Sequence, residues 1–284
     1  MRYSSQLALL NIVFMTVFVF AWFAGLWQVL SGQSFIESPV LFSSLCMVVL
    51  LSTFTVLFGS QWWVKRNLHS RVIDHYADGA YSVVIRILHE QASSLNLPKP
   101  VLHIYESDSL NAFIVGGVWR HQDLYMSRAL VMQLSPDEIE AVIAHELAHI
   151  YHQDIVINEV FFGMGMACLY LLQQSFNRLL AYSGTREKYA EIAKKLAEAL
   201  TYGCLLLPLW LMMLFYRRRS EYRADALASQ LVGSQQFIWL LHRLKGVCRD
   251  SFFNLDEKQL LRHYFMTHPP LNHRITALEA RQQA

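Results

Sequence analysis

The residues of this chain best suited to do chemistry stand at His145-Glu146-Leu147-Ala148-His149. In a helix, residues four apart share one face and lie about one turn from each other. The two imidazoles can therefore reach a single metal ion. Such a pair suits zinc, and Glu146 can lean over the ion and act as general base on its bound water. Three fixed residues in five also occur by chance on an ordinary surface helix, so the surroundings must decide. Ser135-Pro136-Asp137-Glu138 reads as a helix start, with Ser as N-cap, Pro in the first turn and acidic side chains at the positive end. Ile139, Val142, Ile143 and Ile150 supply apolar faces around the histidines.

Two histidines do not complete a catalytic zinc site; three protein ligands and a water do. Candidates downstream are His152, Asp154, Glu159 and Glu221. His152 shares a face with His145 and His149 but lies two turns from His145, too far along the axis. Asp154 and Glu159 continue the same helix and face away or sit too deep. The His-containing extension of the metzincins is absent, because Ile155 stands where its last His would be. Glu221-Tyr222-Arg223-Ala224-Asp225 is different, since it sets two carboxylates four apart on one helix face. One can bind zinc, and the other can accept the free N–H of a ligand histidine and fix its tautomer.

The elements that must hold this site belong to an apolar chain. Of 284 residues, 54% are apolar and only 16% are charged, where a soluble domain has nearer a quarter. The deficit falls in blocks. Residues 7–30 and 40–64 carry no charge and are long enough to cross a bilayer. Trp62 and Trp63 suit its interface, and Lys65, Arg66 and Arg71 follow at once, so both ends of the hairpin are expected on the cytoplasmic side. A second pair of apolar runs, 155–172 and 199–216, is either membrane-spanning or re-entrant. If both span, the basic loop 183–195 lies outside, against the positive-inside rule. The expected organisation is an N-terminal transmembrane hairpin (1–64), a first peptidase part with the zinc helix (65–154), the two further apolar segments (155–216) and a C-terminal peptidase part (217–284).

Within the peptidase parts, residues 71–95 read as one amphipathic helix ended by Leu97-Pro98-Lys99-Pro100. Residues 101–105, 112–115 and 124–126 read as strands, the last two as a hairpin over 112–126 whose first strand is ended by Gly116-Gly117. Residues 235–247 and 272–281 read as helices. The net charge of +2 argues nothing about nucleic acid, but no basic, aromatic-studded stripe is visible, and nucleic acid is not expected as a partner. Cys46, Cys168, Cys204 and Cys248 lack metal-ligand spacing and read as small buried hydrophobes.

Residues 135–144 running into the zinc motif resemble the HtpX-like membrane zinc metallopeptidases and are similar to the related CAAX prenyl proteases. The resemblance extends to Asn111-Ala112-Phe113, to 221–225, to Met266-Thr267-His268-Pro269-Pro270-Leu271 and to Arg274-Ile275, and covers roughly residues 100 to 280. It implies a mainly α integral-membrane protein with an α+β, gluzincin-like zinc metallopeptidase domain carrying a small β-sheet. It implies one zinc ion held by His145, His149 and Glu221, with Glu146 as catalytic base and Asp225 behind a ligand histidine. Asn111, Ala112 and Phe113 are candidates for holding substrate, and His268 for the oxyanion. The implied activity is endoproteolysis in quality control of misfolded or membrane proteins, in a multi-pass protein of the bacterial inner membrane with its active site on the cytoplasmic side. The expected partners are the lipid bilayer and unfolded or membrane protein substrates. Ala148 stands where the family tends to have Ser, and Gly116-Gly117-Val118-Trp119-Arg120 differs from the usual loop after Asn-Ala-Phe. The rival readings are an inactive peptidase-like membrane scaffold, which should have lost Glu146 or a ligand, and a CAAX-type protease, which should have more spans.

Overall fold

The computed structural model describes residues 64, 66–73, 79–116, 122–159, 207–252 and 269–283, together with Met47 and Leu51. The chain divides into two compact units, Met1–Gly59 with Ile157–Met213 and Ser60–Val156 with Leu214–Ala284. The expected span 7–30, almost all of 40–64, residues 160–172 and the loop 183–195 lie outside the described residues. Among the described residues, no helix is long and apolar enough to cross a membrane.

The second unit contains a four-stranded mixed sheet. Its strands are β1 (Ser70–Ile73), β2 (Val101–Tyr105), β3 (Ala112–Val115) and β4 (Asp123–Ser127), in the order β1-β2-β4-β3. β2 and β4 run parallel, while β1 and β3 pair antiparallel at the two edges. The alternation along each strand sorts the side chains. Leu102, Ile104, Leu124 and Met126 enter the main core, while Tyr105, Phe113 and Tyr125 line the other face with Val64 and Leu68. On that second face His103 stacks on Tyr125, and Tyr125 stacks on Phe113. The expected hairpin forms, with Ala112 opposite Met126 and Val115 opposite Asp123. Gly116 is needed at its tip, because a Cβ there would lie 2.7 Å from Gln122 Cα.

Residues 71–73 depart from the sequence expectation. They are not the start of the amphipathic helix but three of the four residues of β1, with Arg71 opposite Ile104 and Ile73 opposite Leu102. Val72 and Ile73 are β-branched and suit a pleated surface. The ladder to β2 is a tertiary gain that helical periodicity cannot report. The helix itself, α1 (Ala80–Ser94), buries Val84, Ile85, Leu88 and Ala92.

A short helix, α2 (Arg128–Gln133), follows β4, with Ser127 as N-cap accepting from Leu130 N–H. Next comes α3 (Pro136–Tyr151), the helix of the two histidines. Its start is a full capping box: the Ser135 hydroxyl accepts from the Glu138 N–H, and the Glu138 carboxylate accepts from the Ser135 N–H. A good N-cap contributes about 1 kcal/mol and fixes where the helix begins, hence which way each histidine points. Ala141, Ile143, Ala144 and Leu147 are fully buried and seat α3 against α1 and the sheet.

Helical backbone resumes at residues 154–159 after a turn, and three longer helices follow: α4 (Leu207–Val232), α5 (Ser234–Phe252) and α6 (Leu271–Gln282). Gly233, with φ of 92°, makes the break between α4 and α5 in a backbone region that favours glycine. α5 docks on the beginning of α3. Gln236 donates to the Asp137 carbonyl at 2.9 Å, and Arg243 donates to the Gln133 carbonyl at 3.0 Å. α6 packs on α5.

Candidate active site

His145 and His149 project from one face of α3, as their spacing requires, and their rings meet edge to face with centroids 4.8 Å apart. The two Nε2 atoms lie 3.3 Å from each other. From α4, Glu221 brings one carboxylate oxygen to 3.5 Å from His145 Nε2 and the other to 3.5 Å from His149 Nε2. These three residues form a group whose ligand atoms all lie within 4.8 Å of one another. A tetrahedral zinc ion with bonds of about 2.0–2.1 Å needs ligand atoms roughly 3.3 Å apart. The Nε2–Nε2 and Nε2–carboxylate separations fit that ion with small adjustment. Two imidazole nitrogens and one carboxylate leave a fourth position for water, as in hydrolytic rather than structural zinc sites.

The outer nitrogens explain why the Nε2 atoms converge. His145 Nδ1 lies 3.1 Å from Asp225 Oδ1, so Nδ1–H donates to the carboxylate and Nε2 keeps its lone pair for a metal. Asp225 is buried and gripped by Arg274 of α6, whose Nε donates to Oδ2 at 2.7 Å and whose second nitrogen donates to Oδ1. The third Arg274 nitrogen lies 3.3 Å from Glu221. Phe237 of α5 stacks alongside the His145 ring. Burial alone would lower the His145 pKa, but hydrogen bonds to Asp225 and Glu221 overcome it and raise the value to about 10. A metal at Nε2 competes with that proton, so metal uptake releases it and binding weakens as pH falls. For Asp225, burial would raise the pKa, yet Arg274 and His145 hold it below the ordinary 3.8. Its stabilising contribution is present above about pH 4 and is lost as pH falls below that.

Asp154, expected on the continuing helix and turned away, is placed otherwise. α3 ends at Tyr151; His152 and Gln153 form a turn, with Gln153 at φ of 59°. The turn swings Asp154 back until its carboxylate meets His149 Nδ1 at 3.0 Å. Asp154 is thus no ligand candidate but the partner of one. Burial opposes its charge, and His149 and Arg223 more than restore it, so its pKa also lies below 3.8. His152 caps α3 through its N–H to the Ala148 carbonyl and stands outside the metal-binding group.

The remaining sequence candidates are distributed as follows. Asn111 is exposed at the entrance to β3, with its N–H donating to the Ser127 hydroxyl and its carbonyl accepting from the Ser127 N–H. Its amide also meets the Tyr105 hydroxyl. Ala112 and Phe113 open β3, the last strand of the sheet among the described residues, and β3 packs against α3. His268 lies outside the described residues. Arg274 went unassigned on sequence. A signal was available: in α6 the buried set is Arg274, Ile275 and Leu278, so a basic residue shares the core-facing side of a helix.

Residues 82–282 match the family model described as Peptidase family M48. The chain belongs to peptidase family M48. M48 peptidases are metalloproteases, and this member has a His145–His149–Glu221 group able to bind a metal, with Glu146 beside it. It is 27% identical over 239 residues to Protease HtpX of Idiomarina loihiensis, covering 81% of this chain and 82% of that one. It is 29% identical over 245 residues to Protease HtpX of Escherichia coli O1:K1 / APEC, covering 80% and 82%. The crystal structure of S. mikatae Ste24p aligns with a TM-score of 0.61 at 19% identity, covering 96% of this chain. The M48 chain described here spans 65% of that protein, and the likeness is one of fold. The inactive-scaffold reading is not favoured, since Glu146 and every member of the metal-binding group are in place.

Proposed function

We propose that this M48 peptidase is a zinc-dependent integral-membrane endopeptidase that cuts misfolded or membrane proteins at the cytoplasmic face of a bacterial inner membrane. The observation that carries the reading is the convergence of His145 Nε2, His149 Nε2 and the Glu221 carboxylate beside Glu146. A zinc ion held there by His145, His149 and Glu221 would supply a water of pKa about 7 and a Lewis acid for the scissile carbonyl. The rest falls to the chain. Glu146 accepts the proton of the attacking water and passes it to the leaving amine. Asp225 and Asp154 keep both imidazoles in the tautomer that leaves Nε2 a lone pair.

Substrate is held as an extended strand along β3. An edge strand offers main-chain hydrogen bonds that bind peptide without reading its sequence. β3 is short, packs against the helix of the histidines and presents Ala112 and Ile114 toward the core and Phe113 to the opposite face. Asn111, at the entrance to β3, would hold the substrate backbone, and His268, which lies outside the described residues, would meet the developing oxyanion. The apolar stretches 7–30 and 40–64, with Arg2 before the first and Lys65 and Arg66 directly after the second, support the membrane placement and its cytoplasmic side. The HtpX relatives support the membrane placement.

Such a binding mode favours substrates that offer an extended segment. The detergent-solubilised protein is expected to cleave an unfolded membrane protein and to leave a tightly folded soluble protein intact over the same period, as read on a gel. Equal cleavage of both contradicts the proposal.

A further inference from the structure

The two candidate ligand histidines have separate supports. His145 leans on Asp225 and Arg274. His149 leans on a different carboxylate, and the environment of that carboxylate is built to receive nothing else. Asp154 is 1% exposed. Its Oδ2 faces His149 Nδ1 at 3.0 Å. Its Oδ1 accepts from the Tyr216 hydroxyl at 2.8 Å and from Arg223 at 2.7 Å. Arg223 in turn reaches the Tyr216 oxygen at 3.2 Å, with its guanidinium over the Tyr216 ring. Three donors thus fix both oxygens of one carboxylate, and the orientation of its plane fixes the His149 ring.

The positions of those donors matter as much as their number. Tyr216 and Arg223 are seven residues apart, two turns of one helix and so nearly one face. That helix is α4, which carries Glu221 between them. Asp154 therefore joins the end of the helix bearing His149 to the helix bearing the carboxylate ligand. We propose that Asp154 is a positioning residue for the metal site, which sets the tautomer and ring orientation of His149 and, through Tyr216 and Arg223, the register of Glu221 against it. This rests on the zinc reading of His145, His149 and Glu221.

The sharpest probe is Asp154→Asn, which keeps the shape and an acceptor for Tyr216 and Arg223. An asparagine that turns its oxygen to those donors offers its NH₂ to His149. The imidazole then accepts at Nδ1 and carries its proton on Nε2, where the metal must bind. Partners of ligand histidines typically matter 10–100-fold in metal affinity. In zinc competition against a chromophoric chelator, Asp154→Asn is expected to bind zinc ~10–100-fold more weakly than wild type. The visible spectrum of the cobalt-substituted protein is expected to change as the ligand field is disturbed. Asp154→Glu, which restores a carboxylate, is expected to recover part of the affinity. A latch that merely holds α4 in place would lower the melting temperature and leave both metal readouts at wild type, and that result overturns the proposal. Should Asp154→Asn fail to fold, Tyr216→Phe decides, since it removes one of the donors that orient Asp154: weaker zinc binding at an unchanged melting temperature supports the proposal, and wild-type zinc affinity refutes it. If wild type itself takes up no stoichiometric zinc, the metal reading fails first and the role of Asp154 falls with it. If wild type binds zinc and Asp154→Asn binds it equally well, only the role of Asp154 falls.

Discussion

Glu146→Gln is expected to abolish peptide cleavage while zinc content stays at wild type. Glu146 is adjacent to His145 on α3 but is not part of the metal-binding group, which is His145, His149 and Glu221. The amide has nearly the shape of the carboxylate, so the packing of this half-buried side chain is kept. What disappears is a base: an amide cannot take the proton of the attacking water or return it to the leaving amine. Positioned proton transfer contributes about 10²–10⁴-fold to rate, and the loss in kcat is expected within or beyond that range. The measurement is turnover of an unfolded membrane protein, with zinc per chain determined on the same preparation. Wild-type turnover in the variant would remove Glu146 from the mechanism.

Glu221→Ala is expected to lose zinc, and with it all activity, whereas Asp225→Asn is expected to lose affinity by ~10–100-fold and retain a metal at high zinc. The difference follows from which side of His145 each carboxylate occupies. Glu221 lies on the Nε2 side of both histidines, while Asp225 sits behind Nδ1 of one. Asparagine is preferred to alanine at 225 because Arg274 is buried on that carboxylate. Removing the partner of a buried charge costs about 3–5 kcal/mol, enough to confuse a binding measurement with unfolding. Zinc titration of the folded variants checks the ranking. A Glu221→Ala protein that binds zinc as wild type does places the third ligand elsewhere.

Local signals carried much of this site in the sequence. The spacing of His145 and His149 determines their common face, and Ser135 with Pro136 marks the start of the helix that presents them. The pair Glu221 and Asp225 is legible for the same reason, one turn of helix apart. β2, β3 and β4 could be read because they are short apolar runs, with Pro98 and Pro100 before β2 and Gly116-Gly117 after β3. β1 could not: Ser70–Ile73 is only four residues, and the partner strand β2 that holds it extended lies about thirty residues on. Asp154 was misplaced because the α3 helix was carried past its end. No proline or glycine marks that end, and Gln153 adopts a positive φ there. Arg274 is more than a hundred residues from the histidines, and only the packing of α6 brings it to Asp225.

Metal removal and return tests the central claim most directly. The purified protein is stripped with a chelator, assayed on an unfolded membrane substrate, and assayed again after stoichiometric zinc is restored. Cleavage is expected to vanish with the metal and to return at one zinc per chain. Undiminished cleavage by the zinc-free protein would contradict the metallopeptidase account.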